Sequence, residues 1–420
     1  MPHGLAGLLV NRSFALLWLA QALSSFGEYF MAATTTVWIV TDLAAGDPRT
    51  PIYVGLVVMA TAAPRLFLAP FAGAWVDRLP ARRTMLLADL GRLVVYVPFL
   101  VIVLTGPALL SVWAVIALQL ILSSGAQLFT PARNALVQVV VPQEQRVAAS
   151  SRSVFANMGV GVLATMAGPV AFAAFGVIPA IVIDAMSFLL SALLILLVRD
   201  DLRPHTAARG SYWGDLAAGI RAAWRIPSVR DLILGMGAYG VCLGVNNAAL
   251  PLFALDTIGL SAPEYGIVSG MFSVGGLVGA VIAPRLLRGR RLEPLLAGTL
   301  VALGAVYVAY SFSRSFVPAL LIMGAAGVVF SVYVMCQGPI LQERVPVGSM
   351  GRISSLTTPV MSATSLVATG IASVVFARFA PGVAQRQAYA VAIATAAVVM
   401  AASGALLVIG ARRQVREARG

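Results

Sequence analysis

The chain has 420 residues, of which 60% are hydrophobic and 11% charged, and its mean hydropathy is +0.91. Soluble domains carry about a quarter of their residues as charges, so this composition excludes a water-soluble globular protein and makes the bilayer its natural solvent. The net charge of +13 comes from 29 arginines with no lysine, which excludes a P-loop ATPase and a Schiff-base enzyme, since each needs a lysine.

An apolar chain of this length can supply about a dozen spans of ~20 residues. In chain order, the apolar stretches predict spans over 13–41, 53–76, 84–105, 109–130, 153–175 and 178–198. After a polar middle they predict 231–255, 264–286, 292–312, 316–339, 353–376 and 387–410. The first span is too long for a signal-peptide core and no small-residue cleavage site follows it, so it is expected to be retained. The longest polar stretch divides the chain into an N-terminal bundle (1–198), a linker (199–230) and a C-terminal bundle (231–420). Within the linker Trp213, Leu216, Ile220 and Trp224 recur at helical spacing, with Asp215, Arg221 and Arg225 elsewhere around the wheel. That pattern predicts an amphipathic helix lying on the membrane surface.

The arginines set the topology. With the N-terminus inside, the inner segments hold 23 of the 29, among them Arg82, Arg83, Arg133, Arg146 and Arg152. The outer loops hold four, and Arg65 and Arg92 fall within spans. An excess alternating from loop to loop is the positive-inside pattern. It predicts a multi-pass protein of the bacterial inner membrane with both termini cytoplasmic, and it explains the basic charge without nucleic acid. Two histidines and two cysteines, Cys242 and Cys336, stand too far apart for a metal cluster or a disulfide framework; no cofactor is expected.

The halves echo each other. Gly73 to Arg83 (GAWVDRLPARR) returns as Gly279 to Arg291, and Gln138 to Pro142 returns as Gln342 to Pro346, offsets of 206 and 204 residues. A six-plus-six repeat is how many secondary transporters are built, with the substrate path between the repeats.

Gly73-Ala-Trp-Val-Asp77-Arg78-Leu-Pro-Ala-Arg82-Arg83 resembles the loop motif of the major facilitator superfamily. The wider context is similar to its enterobactin-exporter and macrolide-efflux type of permease: Asn11 to Gly27, Pro131-Ala-Arg-Asn-Ala135 ahead of Val141-Pro142, Gly168-Pro169, and Asp184 to Phe188. The resemblance covers nearly the whole chain. It implies an all-α membrane fold of twelve transmembrane helices in two pseudo-symmetric six-helix bundles, and export by alternating access. It also implies that Asp77, with Gly73, Arg78, Arg82 and Arg83, forms a gating latch holding the inner side closed. The chain departs from the superfamily at Pro80, where glycine is common, and at Gln119 to Gly125, where many drug–proton antiporters carry an arginine. Of the fifth-span antiporter motif only Gly168-Pro169 remains.

Charges inside a bilayer cost at least ~2.5 kcal/mol each and tend to be functional. Glu28, Arg65, Asp89, Arg92 and Asp184 are the candidates, all in the first half. Glu28 lies deep in the first span and shares a face with Gln21 and Ser24 or Ser25. It suits a coupling role, exchanging a proton as the cavity opens to alternate sides; the competing reading is a structural carboxylate paired with Arg65 or a backbone group. Asp89 and Arg92 read as a local pair near the inner end, and Asp184 as structural. Gln119, Ser123 and Gln127 form a polar stripe on the fourth span; Tyr239, Asn246 and Asn247 mark the seventh, Tyr333 and Gln337 the tenth. The resemblance implies that spans one, four, seven and ten line the path. These side chains either face that cavity or bond between helices, as such groups commonly do in membranes.

The expected function is a secondary active, proton-coupled exporter of small amphiphilic organic molecules such as drugs, antibiotics or siderophore-like metabolites. A neutral or amphiphilic cargo is expected because no basic cluster is visible at mid-depth. Its partners would be that substrate, a proton or other coupling ion, and membrane lipid, with the chain a monomer. An uptake permease of the same fold is the nearest alternative. A membrane enzyme or a subunit of an ATP-driven permease finds no supporting motif.

Overall fold

The computed structural model describes residues 10–68, 79–198, 221, 223–345, 347–379 and 382–417. The latch residues Gly73, Asp77 and Arg78, and linker residues Trp213, Asp215, Leu216 and Ile220, lie outside them.

The described chain contains twelve long α-helices. They are α1 (Arg12–Trp38), α2 (Thr50–Phe67), α3 (Ala81–Thr105), α4 (Ala108–Val140), α5 (Arg146–Phe175) and α6 (Ile178–Leu196), then α7 (Pro227–Leu252), α8 (Ala262–Leu287), α9 (Leu292–Ser311), α10 (Phe316–Arg344), α11 (Val347–Phe376) and α12 (Val383–Glu417). Helices bond every interior backbone group to themselves, which lipid requires. Eleven helical stretches among the described residues are long and apolar enough to cross a membrane. The remaining helix, α1, is long enough, but Gln21, Ser24, Ser25, Glu28 and its threonines lower its hydropathy.

Several helices overrun the predicted spans. The fourth span was expected to stop at 130, ahead of Pro131; α4 instead continues through the proline to Val140, and its 33 residues span about 50 Å. Arg133, assigned to a loop by the arginine count, is therefore a buried residue inside a helix. Hydropathy marks only the segment as thick as the lipid, not the helix that carries it.

The chain divides into two compact units, Met1–Ala45 with Ala60–Ala208, and Gly46–Met59 with Arg209–Gly420. In the first, α1 packs on α5 and α6, and α3 on α4 and α6. In the second, α7 packs on α11 and α12, and α9 on α10 and α12, the same pattern one repeat later. The echo reaches fine detail: α1 and α7 each run into a π-helical segment, Ile39–Leu43 and Phe253–Ile258.

Helix-end caps and close glycine contacts complete the helix packing. In the first unit, Asn11 caps α1 by accepting from the Phe14 amide at 2.8 Å while its side-chain amide donates to the Val140 carbonyl ending α4. Arg82 donates to the Leu196 and Ile195 carbonyls, and Arg146 to the Gln138 carbonyl at 2.6 Å, so cations close the C-terminal ends of α6 and α4. An apolar layer of Phe14, Leu17, Met85, Leu136 and Ile195 fills the bundle at that end. In the second unit α8 and α10 meet backbone to backbone, and a Cβ on Gly275 would overlap the Gly324 carbonyl. Val94, Val97, Val101 and Leu104 recur at helical spacing on the exposed face of α3, an apolar stripe suited to lipid.

Candidate functional site

In the first unit, charge gathers around Arg92 of α3. Its side chain is 2% exposed, and its Nη1 lies 2.9 Å from Oε1 of Glu28 on α1 and 3.7 Å from Oδ1 of Asp89. The guanidinium carbon stands 5.6 Å from the ring centre of Phe129 and 5.1 Å from that of Phe188, so aromatic faces from α4 and α6 enclose it. Gly125 of α4 provides the room, since a Cβ there would stand 2.5 Å from the Arg92 Nε. Glu28 is the accessible end of this arrangement: its side chain remains 37% exposed while its cationic partner is buried.

Behind this pair α3 and α6 are joined by two acid–hydroxyl contacts. Ser191 donates to Asp89 at 2.6 Å, and Tyr96 donates to Asp184. Asp89 and Tyr96 are about two turns apart on α3, as are Asp184 and Ser191 on α6, so the antiparallel helices match acid to hydroxyl at both levels. Both aspartates are fully buried.

A cavity of about 480 Å³ opens in front of Glu28. Among the described residues it is lined by Gln21, Ser24, Ser25, Glu28 and Tyr29 of α1, Gln127 and Arg133 of α4, Arg65 of α2, Arg92 of α3 and Asn157 of α5. Asn157 ties the wall together, donating to Ser25 Oγ at 3.2 Å and accepting from Tyr29 Oη at 3.2 Å. Gln21, Ser25, Glu28 and Gln127, chosen from the sequence, thus meet in one place. The rest of the α4 stripe does not join them. Ser123 donates to the Thr61 carbonyl of α2 at 2.7 Å, and Gln119 is buried away from the cavity wall.

Tertiary packing qualifies three sequence expectations. The partner of Glu28 is Arg92; Arg65 is exposed on the cavity wall. The local Asp89–Arg92 pair is present at 3.7 Å in the bundle interior, and Arg92 also bonds across helices to Glu28 at 2.9 Å. Where the sequence showed no basic cluster at mid-depth, packing brings Arg65, Arg92 and Arg133 to one cavity from three helices. Hydropathy scores each helix alone and cannot sum charges that only packing brings together.

In the second unit the chosen residues form a largely buried group. Tyr239 of α7 stacks on Phe330 and Tyr333 of α10 with ring centres 5.4 and 5.1 Å apart. Asn246 is buried and donates to Cys242 Sγ at 3.6 Å; Asn247 and Gln337 are half-buried. Of the latch residues within the described chain, Arg82 caps α6 and Arg83 is exposed.

A family model described as transmembrane secretion effector, within the major facilitator superfamily, matches residues 4–419. The chain belongs to that family. The transporter is 24% identical over 394 residues to YkuC of Bacillus subtilis (strain 168), an uncharacterized MFS-type transporter, covering 88% of this chain and 86% of that one. It is 26% identical over 266 residues to YjbB of the same organism, also an uncharacterized MFS-type transporter, covering 59% of this chain and 62% of that one. Among solved structures it resembles a bacterial homologue of the iron transporter ferroportin, with a TM-score of 0.71, 17% identity and coverage of 93% of this chain and 98% of that one. The nucleoside transporter NupG, in a variant form, gives a TM-score of 0.74 at 13% identity over 94% of this chain and 100% of that one. These likenesses are of fold. Together with the membrane-length helices they make the transporter a multi-pass membrane protein of the major facilitator kind, whose members carry small molecules across membranes.

Asn157 and Arg133 are among the residues of the transporter's cavity that escaped the sequence reading. Asn157 is one polar residue in an otherwise ordinary span, and nothing in its local pattern marks it. Arg133 had a signal in the run Pro131-Ala-Arg-Asn-Ala135, but its proximity to a predicted loop disguised it.

Proposed function

We propose that the transporter is a secondary active exporter in the bacterial inner membrane, driven by the proton gradient, with both termini cytoplasmic. Its cargo is small amphiphilic organic molecules of the drug, antibiotic or siderophore-like kind. The observation that carries this reading is Glu28, the one carboxylate on the cavity wall among the described residues, half open to the cavity and paired with a buried arginine. Protonating Glu28 removes the charge that holds Arg92, and releasing the proton restores it. A pair made in one protonation state and lost in the other biases the equilibrium between conformations, which is what coupling requires. Gln21, Ser25 and Gln127 are the proposed substrate contacts in this cavity. Tyr239, Asn246, Asn247, Tyr333 and Gln337 are the corresponding polar and aromatic group of the second unit, and Asp77 with Gly73, Arg78, Arg82 and Arg83 the proposed latch.

The direction of transport rests on the family description as a secretion effector and on the likeness to the enterobactin-exporter and macrolide-efflux branch. The test is transport in everted vesicles containing only this protein. Dye accumulation on imposing a proton gradient, without nucleotide and abolished by Glu28→Gln, is the expected result. Accumulation that ignores the gradient, or that survives Glu28→Gln unchanged, would sink the reading.

A further inference from the structure

The cavity beside Glu28 carries more positive charge than its own residues offset. Among the described residues its wall holds three guanidiniums, of Arg65, Arg92 and Arg133, and one carboxylate, Glu28, which is engaged by Arg92.

Arg133 is the telling member. It is 7% exposed, yet its two bonds run to neutral groups, Nη1 to Asn134 Oδ1 at 3.2 Å and Nη2 to Ser153 Oγ at 3.0 Å. Its buried Nε has no hydrogen-bond partner, and among the described residues no carboxylate forms an ion pair with it. Nε and Nη2 of Arg92 are likewise buried without a partner. A guanidinium withdrawn from water is costly unless an anion answers it, and buried donors left unmatched call for an explanation. A residue needed only for packing would serve better as leucine. One kept as a cation with an unmatched donor, beside a cavity, is arranged to receive an anion. The planar fork of arginine matches a carboxylate or phosphate edge. Phe129, Ala126 and Pro131 on the same wall offer apolar surface to the rest of such a molecule.

We propose that Arg133, assisted by Arg65, is the specificity-determining anchor for an acidic head group, so that the preferred substrates are amphiphilic anions. The inference rests on the reading of this cavity as the substrate site, but it concerns recognition alone and holds whichever ion drives transport.

The test is equilibrium binding to the full-length transporter in phosphatidylcholine nanodiscs, with no gradient. The probes are a dansyl-tagged undecanoic acid, its methyl ester and the matching amine. Wild type should bind the acid about tenfold tighter than the ester, as a charge-assisted hydrogen bond implies, with the amine weakest. Arg133→Gln should bring acid and ester to equal affinity while leaving the ester unchanged, which also reports that the cavity is intact; Arg133→Lys should keep much of the preference. Equal binding of acid and ester by wild type, no acid binding, tighter binding of the amine, or a preference that survives Arg133→Gln would each overturn the proposal. Adding phosphatidylglycerol to the nanodiscs separates cargo from lipid. If it abolishes acid binding, the anion belonging to Arg133 is a lipid head group and the substrate assignment fails. Loss of gradient-driven transport with the acid preference intact would count against the coupling reading alone.

Discussion

Arg92 donates to Glu28 across 64 positions of sequence, joining a buried guanidinium on α3 to a carboxylate that the cavity can reach on α1. Asp89 approaches the same guanidinium nitrogen at 3.7 Å and accepts a hydrogen bond from the Ser191 hydroxyl. The single cation is thus shared between a fixed acid and an accessible one.

If Glu28 is the coupling group, Glu28→Gln should insert and fold normally but lose gradient-driven export down to the level of empty vesicles. Counterflow, which exchanges labelled for unlabelled substrate without a gradient, should persist. Loss of both activities would assign Glu28 to structure or binding instead.

Removing Arg92 is a different experiment. Arg92→Gln leaves the part-exposed Glu28 and the fully buried Asp89 without their cation, and stranding one partner of a pair buried on both sides, as Arg92–Asp89 is, costs about 3–5 kcal/mol. The thermal midpoint of the purified protein should fall sharply. Combining Arg92→Gln with Glu28→Gln should recover part of that loss, because the uncompensated carboxylate goes with it; strictly additive losses would mean that the two do not interact.

Gly125 tests the same centre from α4. A larger residue there collides with Arg92, whose Nε is 2.5 Å from the Cβ position. Gly125→Val should therefore resemble Arg92→Gln in both stability and transport. Wild-type behaviour would show that Arg92 can move aside freely.

On the α3–α6 contact, Tyr96→Phe leaves the Asp184 carboxylate short of its donor inside the bundle, at a cost of about 1–3 kcal/mol. Ser191→Ala should act similarly through Asp89. Thermal melting in detergent reads both, and unchanged midpoints would remove these contacts from the account of stability.

The two glutamines of α4 should part company. Gln127→Leu alters the cavity wall and should change the order of preference across a panel of dyes. Gln119→Leu, buried away from that wall, should leave the order unchanged. A shift produced by Gln119→Leu alone would place the substrate elsewhere on α4.

How much of this was legible beforehand depends on the range of the interaction. The membrane class, the twelve helices and the two repeats follow from hydropathy, arginine placement and motif spacing, which are properties of single segments read against lipid. Glu28 was legible for the same reason: a carboxylate in an apolar helix declares itself wherever the helix packs. Its partner was not. Arg65 and Arg92 are equivalent arginines in neighbouring spans, and only the packing of α3 against α1 and α6, with Gly125 making room, selects Arg92. The polar stripe of α4 was visible as a stripe, but helices turn their faces to different neighbours along their length, so Gln127 reaches the cavity while Ser123 bonds to α2. Arg133 shows the limit most plainly. A window as thick as the bilayer ended the span before it, while the helix went on and buried it. Lipid acts on each segment separately, and so the sequence alone determined what crosses the membrane. Which charges meet depends on contacts between segments distant along the chain, and only the tertiary structure decided that.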